Sequence, residues 1–126
     1  MPSPRVLIVD DQPVFRRAAR DVLEARGYPV VAEADCESGA VQALARFNPD
    51  AVLLDVCLGS ESGLHVSRVL TLARPGVSVL LTSAEALQAS HEHVHDCGAR
   101  GFVLKSRLAD VDLEAYWPAR DPRAWT

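Results

Sequence analysis

The chain has 126 residues, of which 48% are hydrophobic and 24% charged. This balance fits one globular domain and excludes a disordered chain. The net charge of −4 argues against a surface built for nucleic acid. No apolar run approaches the ~20 residues of a membrane-spanning helix, and the N-terminus lacks a signal-peptide pattern. We therefore expect a soluble, cytoplasmic domain that binds neither membranes nor, by itself, nucleic acid.

Short apolar runs alternate with helical patterns along the chain, which indicates repeated β–α units. Because the runs are apolar without alternation, they favour strands buried on both faces of a parallel sheet. The predicted strands cover residues 6–9, 30–32, 51–54, 77–81 and 101–104. The predicted helices cover residues 14–26, 38–47, 64–73, 86–97 and 108–117, and residues 59–63 form a loop. The fold class is therefore α/β, with a doubly wound sheet of five parallel strands.

Local signals define the faces and ends of the first two helices. In the first helix, apolar residues recur at Val14, Ala18, Val22 and Ala25, which predicts the buried face. Gly27 then ends this helix. Ser38 is a residue type that caps helices, and we expect the second helix to begin there.

Polar functional groups follow four of the five predicted strands. In open α/β sheets the carboxyl ends of the strands share one edge, where ligands bind. The chain contains 13 basic residues, and a single lysine stands among them at the end of the fifth strand. The groups are Asp10 and Asp11, Asp55, Thr82 and Ser83, and Lys105.

The chemistry of this set points to phosphoryl transfer. Neighbouring carboxylates repel one another unless a cation lies between them. A few hard oxygen ligands suit Mg²⁺, and a metal ion together with Lys105 would neutralise a phosphoryl group. A carboxylate can also act as the nucleophile and form an aspartyl phosphate.

The chain resembles the receiver domains of two-component response regulators, most closely those that precede LuxR-type DNA-binding domains. The resemblance covers nearly the whole chain and rests on the segments LIVDDQPVFRRAARDVL, AVLLDVCLGSESGL, VLLTSAEA and GFVLKS. It implies a flavodoxin-like receiver fold with strand order 2-1-3-4-5. It also implies phosphorylation by a sensor histidine kinase or a phosphotransfer protein. We expect the receiver domain to span residues 1–117, followed by a short tail at 118–126.

The resemblance also implies the roles of the residues at the metal and phosphoryl site. Asp55 matches the residue that accepts the phosphoryl group. Asp11, Asp55 and the backbone carbonyl of Cys57 match the ligands of Mg²⁺, and Asp10 matches an acidic residue that holds the metal through water. Lys105 matches the lysine that pairs with the phosphoryl group.

Further roles concern switching and the lifetime of the phosphorylated form. Ser83, rather than Thr82, matches the switch hydroxyl, because its distance in sequence to Lys105 fits the family. Phe102 matches the aromatic residue whose rotamer follows the switch. Cys57 and Glu85 resemble two variable positions at the rim of the site.

The chain departs from the family pattern at three positions. Ser106 stands where the family often has a proline joined by a cis bond, and a cis Lys105–Ser106 bond would cost ~3 kcal/mol. Gly59 stands where the loop after Asp55 usually carries proline. Phe102 lacks a hydroxyl, so it can signal by packing alone. None of these differences removes a catalytic group.

The leading hypothesis is a phosphorylation-activated signalling module rather than an enzyme. It would catalyse its own phosphorylation and dephosphorylation without releasing a product. A phosphohydrolase that turns over through an aspartyl phosphate is one alternative, although DDQ replaces the DxD of haloacid dehalogenases. A nucleotide or flavin binder is disfavoured because GxGxxG and GxxxxGK[ST] are missing. The last alternative is a receiver-like scaffold that works without phosphate.

The output partner is not specified by any motif. We expect either a downstream protein target or a DNA-binding domain missing from this chain. A homodimer formed through the fourth helix, the fifth strand and the fifth helix is a further candidate.

Overall fold

The computed structural model describes residues 3–85 and 91–118, and its centre is a sheet of five parallel strands. We number the strands of this sheet in chain order. They are β1 (Val6–Val9), β2 (Val30–Ala34), β3 (Ala51–Asp55), β4 (Ser78–Ser83) and β5 (Gly101–Leu104). Their order across the sheet is β2-β1-β3-β4-β5. The predicted fold class and strand order are confirmed.

Helices cover both faces of the sheet, so two cores form. The α-helices of the described residues are α1 (Pro13–Ala25), α2 (Glu37–Phe47), α3 (Gly63–Ala73) and α4 (His91–Asp96). Residues of α1 share one core with Val6 and Ile8 of β1, whereas α2, α3 and α4 share the other with Leu7 and Val9. This burial on both faces explains the continuous apolar runs of the strands. Within the described ranges, no helix is long and apolar enough to cross a membrane.

The predicted helix over residues 108–117 is wrong. The segment contains two short 3-10 helices, Lys105–Arg107 and Leu113–Ala115, with turns between them. In one continuous α-helix, Leu108 and Trp117 would lie about 180° apart around the axis. Both side chains are instead buried in the core shared with α1. The break in the segment allows both to reach the sheet.

The buried face of α1 also differs from the prediction. Val14, Ala18 and Ala25 are exposed, whereas Val22 of the predicted face is half-buried and packs against the core. The buried residues are Ala19 and Leu23, with Phe15 packed beside them. Phe15 and Leu23 carry far more apolar surface than the alanines of the predicted face. Their burial therefore sets the rotation of the helix.

Two smaller predictions need correction, and a third is confirmed over the residues that the structure describes. Helix α2 begins at Glu37 and is preceded by Cys36, so Ser38 lies inside its first turn. The predicted loop at 59–63 contains part of a short antiparallel hairpin, in which Cys57–Leu58 pairs with Glu61–Ser62. Of the predicted helix over 86–97, residues 86–90 lie outside the described residues, and His91–Asp96 is helical.

Candidate functional site

Three acidic residues meet at the carboxyl edge of the sheet. Asp10 follows β1 and Asp55 ends β3, and the two strands are direct neighbours in parallel register. Asp11 follows Asp10, and oxygen atoms of all three carboxylates lie within 4.8 Å of one another. Asp10 and Asp55 are buried, whereas Asp11 is exposed. The edge therefore presents a compact carboxylate cluster with one side open to solvent.

Lys105 follows β5, and its side chain reaches this cluster across β4, which lies between β5 and β3. Its Nζ lies 2.8 Å from Asp10 Oδ2 and 3.1 Å from Asp55 Oδ2. The contact with Asp55 is a hydrogen bond, whereas the contact with Asp10 is a charge contact without hydrogen-bond geometry. Because the lysine side chain is only 11% exposed, its ammonium group is held in place and largely shielded from water. The predicted convergence of the three carboxylates and the ammonium is present in the structure.

Burial and neighbouring charges shift the pKa values of both partners in the ion pair between Asp10 and Lys105. Desolvation raises the pKa of the Asp10 carboxyl above its ordinary value of 3.8, and the nearby Asp55 charge adds to this effect. Lys105 and the Gln12 N–H act in the opposite direction. For Lys105, burial alone would lower the pKa, but the contacts with Asp10 and Asp55 outweigh it and raise the pKa above 10.5. The ion pair therefore favours the charged form of Lys105 and opposes the effect of burial on Asp10.

Backbone N–H groups orient the two buried carboxylates. Asp10 Oδ1 accepts a hydrogen bond of 2.8 Å from the Gln12 N–H, and Asp55 Oδ1 accepts one of 2.9 Å from the Cys57 N–H. In both residues this leaves Oδ2 turned toward Lys105. The Arg16 guanidinium adds a hydrogen bond of 2.5 Å to the Asp10 carbonyl. The cluster is thus fixed by the backbone before any ligand binds.

The loop after Asp55 folds back beside the cluster. Gly59 adopts a left-handed backbone conformation with φ +60°. A Cβ added at this position would lie 3.5 Å from Asp11 Oδ2. Gly63 opens α3 against the Asp55 carbonyl, and an added Cβ would collide with that backbone. The peptide bond between Lys105 and Ser106 is trans, as no described residue has a cis bond.

Comparison with known proteins identifies the family. The model of the response regulator receiver domain matches residues 6–115. The chain belongs to the response regulator receiver family. It is 31% identical over 111 residues to the chemotaxis protein CheY of Bacillus subtilis (strain 168), covering 88% of this chain and 92% of that protein.

Two further relatives are a transcriptional regulator and a response regulator of the LuxR family. The chain is 31% identical over 112 residues to the transcriptional regulatory protein DegU of Brevibacillus brevis, covering 88% of this chain. It spans about half the length of DegU, because the match covers 48% of that protein. A solved two-component response regulator of the LuxR family from Aurantimonas sp. SI85-9A1 superimposes with a TM-score of 0.78 at 30% identity. That match covers 86% of this chain and 79% of the other.

The remaining predicted residues lie on β4 and β5 and in the segments that follow β3 and β4. Ser83 ends β4 and is half-buried, and its Oγ accepts a hydrogen bond of 3.3 Å from the Glu85 N–H. Cys57 and Glu85 are both exposed, as rim positions require. Phe102 lies on β5 and packs against the core on the α2, α3 and α4 side. It is therefore on the opposite face of the sheet from Val103 and the Lys105 side chain.

The sequence analysis missed one residue that contacts Lys105 and assigned no role to Thr82. The Phe15 ring lies beneath the lysine ammonium, with Nζ 4.2 Å from the ring centroid, which is a cation–π contact. Phe15 was overlooked because the predicted apolar face of α1 was rotated by one residue. Thr82 was passed over in favour of Ser83, although it lies beside Asp55 in the sheet. Its signal in the sequence is a second hydroxyl at the end of the fourth strand.

Proposed function

We propose that this receiver accepts a phosphoryl group from a sensor histidine kinase or phosphotransfer protein onto Asp55. The observation that carries the proposal is the position of the Asp55 carboxylate between two acidic neighbours and the ammonium of Lys105. Asp55 Oδ1 is held by the Cys57 N–H, and Oδ2 faces Lys105. A carboxylate with fixed direction and a neighbouring cation is suited to attack phosphorus, since phosphoryl transfer depends mainly on positioning and charge neutralisation.

We propose Mg²⁺ as the ion held by Asp11, Asp55 and the Cys57 carbonyl, with Asp10 acting through water. The donor set fits, because three carboxylates offer oxygens within 4.8 Å and one of them is exposed for entry. Hard oxygen donors in small number are what Mg²⁺ prefers in proteins. When bound, this ion neutralises charge on the phosphoryl oxygens.

The other residues then act on the phosphorylated form. Lys105 pairs with the phosphoryl group, and the Ser83 hydroxyl approaches it from β4. Movement of Ser83 and repacking of Phe102 alter the surface made by α4, β5 and the segment after it. We expect hydrogen exchange to change at 91–96 and 101–117 on phosphorylation; equal exchange in both states would contradict this switch.

We also propose that the folded receiver extends to residue 117, because Trp117 is buried beside Tyr28 with the two rings edge to face. The partner class is a sensor kinase on the input side and an effector on the output side. The family makes this chain a switch rather than a classical enzyme, and self-catalysed phosphorylation is part of the proposal.

Intact mass after incubation with Mg²⁺ and a small acyl phosphate tests the phosphorylation itself. Wild type should gain one phosphoryl group, and Asp55→Asn should gain none. Asp35→Asn is the matched control, because Asp35 follows β2 at the same edge, is exposed and lies outside the carboxylate cluster. It should be phosphorylated like wild type. Phosphorylation of folded Asp55→Asn would show that another residue is the acceptor.

A further inference from the structure

Thr82 is a buried hydroxyl beside the site. Its residue is 1% exposed, and its Oγ1 has no hydrogen-bond partner among the described residues. In the parallel register Thr82 pairs with Asp55 on one side and with Val103 on the other. Residues paired in this way point to the same face of a sheet. The Thr82 side chain therefore lies on the face that carries the Asp55 carboxylate.

The path of the Lys105 side chain crosses this position. Lys105 follows β5, while Asp55 ends β3, and β4 lies between these two strands. The two backbones are separated by two strand spacings, about 10 Å, which the Lys105 and Asp55 side chains and their 3.1 Å contact cover together. Thr82 is the β4 residue that pairs with Asp55, and Lys105 lies two residues beyond its other partner, Val103. The Thr82 side chain is therefore next to Asp55 in the sheet and close to the path of the lysine side chain across β4.

A valine would fill this position without an unpartnered polar atom. A buried hydroxyl without a hydrogen bond destabilises the fold, and Val has nearly the same shape as Thr. Its neighbour two residues earlier on this face is the apolar Leu80. In the state described the hydroxyl makes no hydrogen bond with the described residues, which leaves it free to accept one in another state of the site.

Phosphorylation would create that state. An ammonium has three N–H donors. In the unphosphorylated structure, the ammonium of Lys105 contacts Asp10 Oδ2 and Asp55 Oδ2. Once Asp55 carries a phosphoryl group, Lys105 keeps Asp10 as a partner and gains the phosphoryl oxygens. The third N–H of the ammonium is then left for a neutral acceptor, and Thr82 Oγ1 has no partner among the described residues.

We propose that Thr82 is a positioning residue whose Oγ1 accepts a hydrogen bond from Lys105 during phosphorylation and holds the ammonium over Asp55. This inference rests on the proposed function, because it concerns Lys105 in the phosphorylated site. It differs from the role of Ser83, the next and last residue of β4, whose side chain lies on the opposite face of the strand and accepts a hydrogen bond from the Glu85 N–H.

The rate of phosphorylation by Mg²⁺ and an acyl phosphate provides the first test. Thr82→Val should slow it about tenfold, the lower end of what a hydrogen bond to a charged group contributes. Thr82→Ser keeps the hydroxyl and should restore the rate to near wild type. Thr82→Val should melt no lower than wild type, since it removes an unpartnered polar atom, so the variant is expected to remain folded. A wild-type rate in Thr82→Val, or a Thr82→Ser rate as slow as that of Thr82→Val, overturns the proposal.

The NMR signal of the lysine ammonium provides a second test. A role of Thr82 in packing alone would leave this signal unchanged. Because the chain contains a single lysine, ¹⁵N-lysine labelling yields one side-chain ammonium signal. In the phosphorylated state this signal should differ between wild type and Thr82→Val and coincide between wild type and Thr82→Ser. Identical phosphorylated spectra for wild type and Thr82→Val would contradict a hydrogen bond to Thr82.

The two proposals fail in different ways. If wild type takes up no phosphoryl group, the proposed function is wrong and the role of Thr82 falls with it. If wild type is phosphorylated and Thr82→Val matches its rate and spectrum, the inference about Thr82 alone is wrong.

Discussion

Replacing Lys105 with methionine should destabilise the receiver through its two buried carboxylates. The Asp10 and Asp55 side chains are 1% and 6% exposed, and the ammonium of Lys105 contacts both. Removing one partner of a buried ion pair leaves uncompensated charge and costs about 3 kcal/mol, at the lower end of the usual range. For a domain of this size, at about 4 °C per kcal/mol, the melting temperature should fall by about 12 °C at neutral pH.

The pH dependence of this loss follows from the pKa of Asp10. Burial raises that pKa above 3.8 in wild type, and Lys105 opposes the rise. In Lys105→Met the opposition disappears, so the folded-state pKa of Asp10 rises further. A raised carboxyl pKa means that stability falls as pH rises from the ordinary value through the folded value. The deficit of the variant should therefore grow from about pH 4 toward neutrality, as the carboxyl ionises.

Thermal melts of wild type and Lys105→Met at pH 7 and at acidic pH measure this difference. Arg107→Met is the matched control, because Arg107 is exposed in the same 3-10 helix and makes no ion pair among the described residues. It removes the same formal charge and should shift the melt by little at either pH. An equal loss in both variants, or a deficit of Lys105→Met that does not shrink with acid, would refute the reasoning.

Three further predictions concern the metal, the aromatic contact and the rim. Mg²⁺ at 100 times its Kd should stabilise wild type by about 2.7 kcal/mol. Asp11→Ala should lose this response in thermal melts, and a retained response would exclude Asp11 as a ligand. Phe15→Leu should slow acyl-phosphate phosphorylation at least about threefold, since a cation–π contact contributes roughly 0.5–1 kcal/mol even at an exposed site. Phe15→Tyr should not slow it, and equal rates for both variants would contradict a role for the ring. Glu85→Leu should slow loss of the phosphoryl group a few-fold, because the exposed carboxylate positions water; faster decay at equal Mg²⁺ would show that its charge repels the attacking water instead.

The convergence of charged groups at one edge was predictable from the sequence, because strand ends in a parallel sheet share that edge. Asp10, Asp55 and Lys105 each follow an apolar run, and the runs align in register. The direction of each side chain was not predictable in the same way. Lys105 reaches both buried carboxylates across β4 because of the twist and strand spacing of the sheet. No local sequence pattern predicts these two properties.

Helix predictions failed where burial and local periodicity disagree. The spacing of Val14, Ala18 and Val22 looks like a buried face, yet the large side chain of Phe15 determines the rotation of α1. That error concealed the residue that contacts the lysine ammonium. At the C-terminal end, the need to bury both Leu108 and Trp117 overrides the helical pattern between them. Both cases show tertiary packing deciding between local alternatives of similar free energy.

The central claim is that the carboxylate of Asp55 becomes covalently phosphorylated, and locating the modification tests it most directly. Wild type is incubated with Mg²⁺ and an acyl phosphate, then reduced with borohydride, which converts an aspartyl phosphate to homoserine. Peptide mass spectrometry then identifies the modified position. Homoserine at position 55 and at no other aspartate is the predicted result. Homoserine at position 10 or 11, or a borohydride-resistant phosphate on Ser83, would contradict the account.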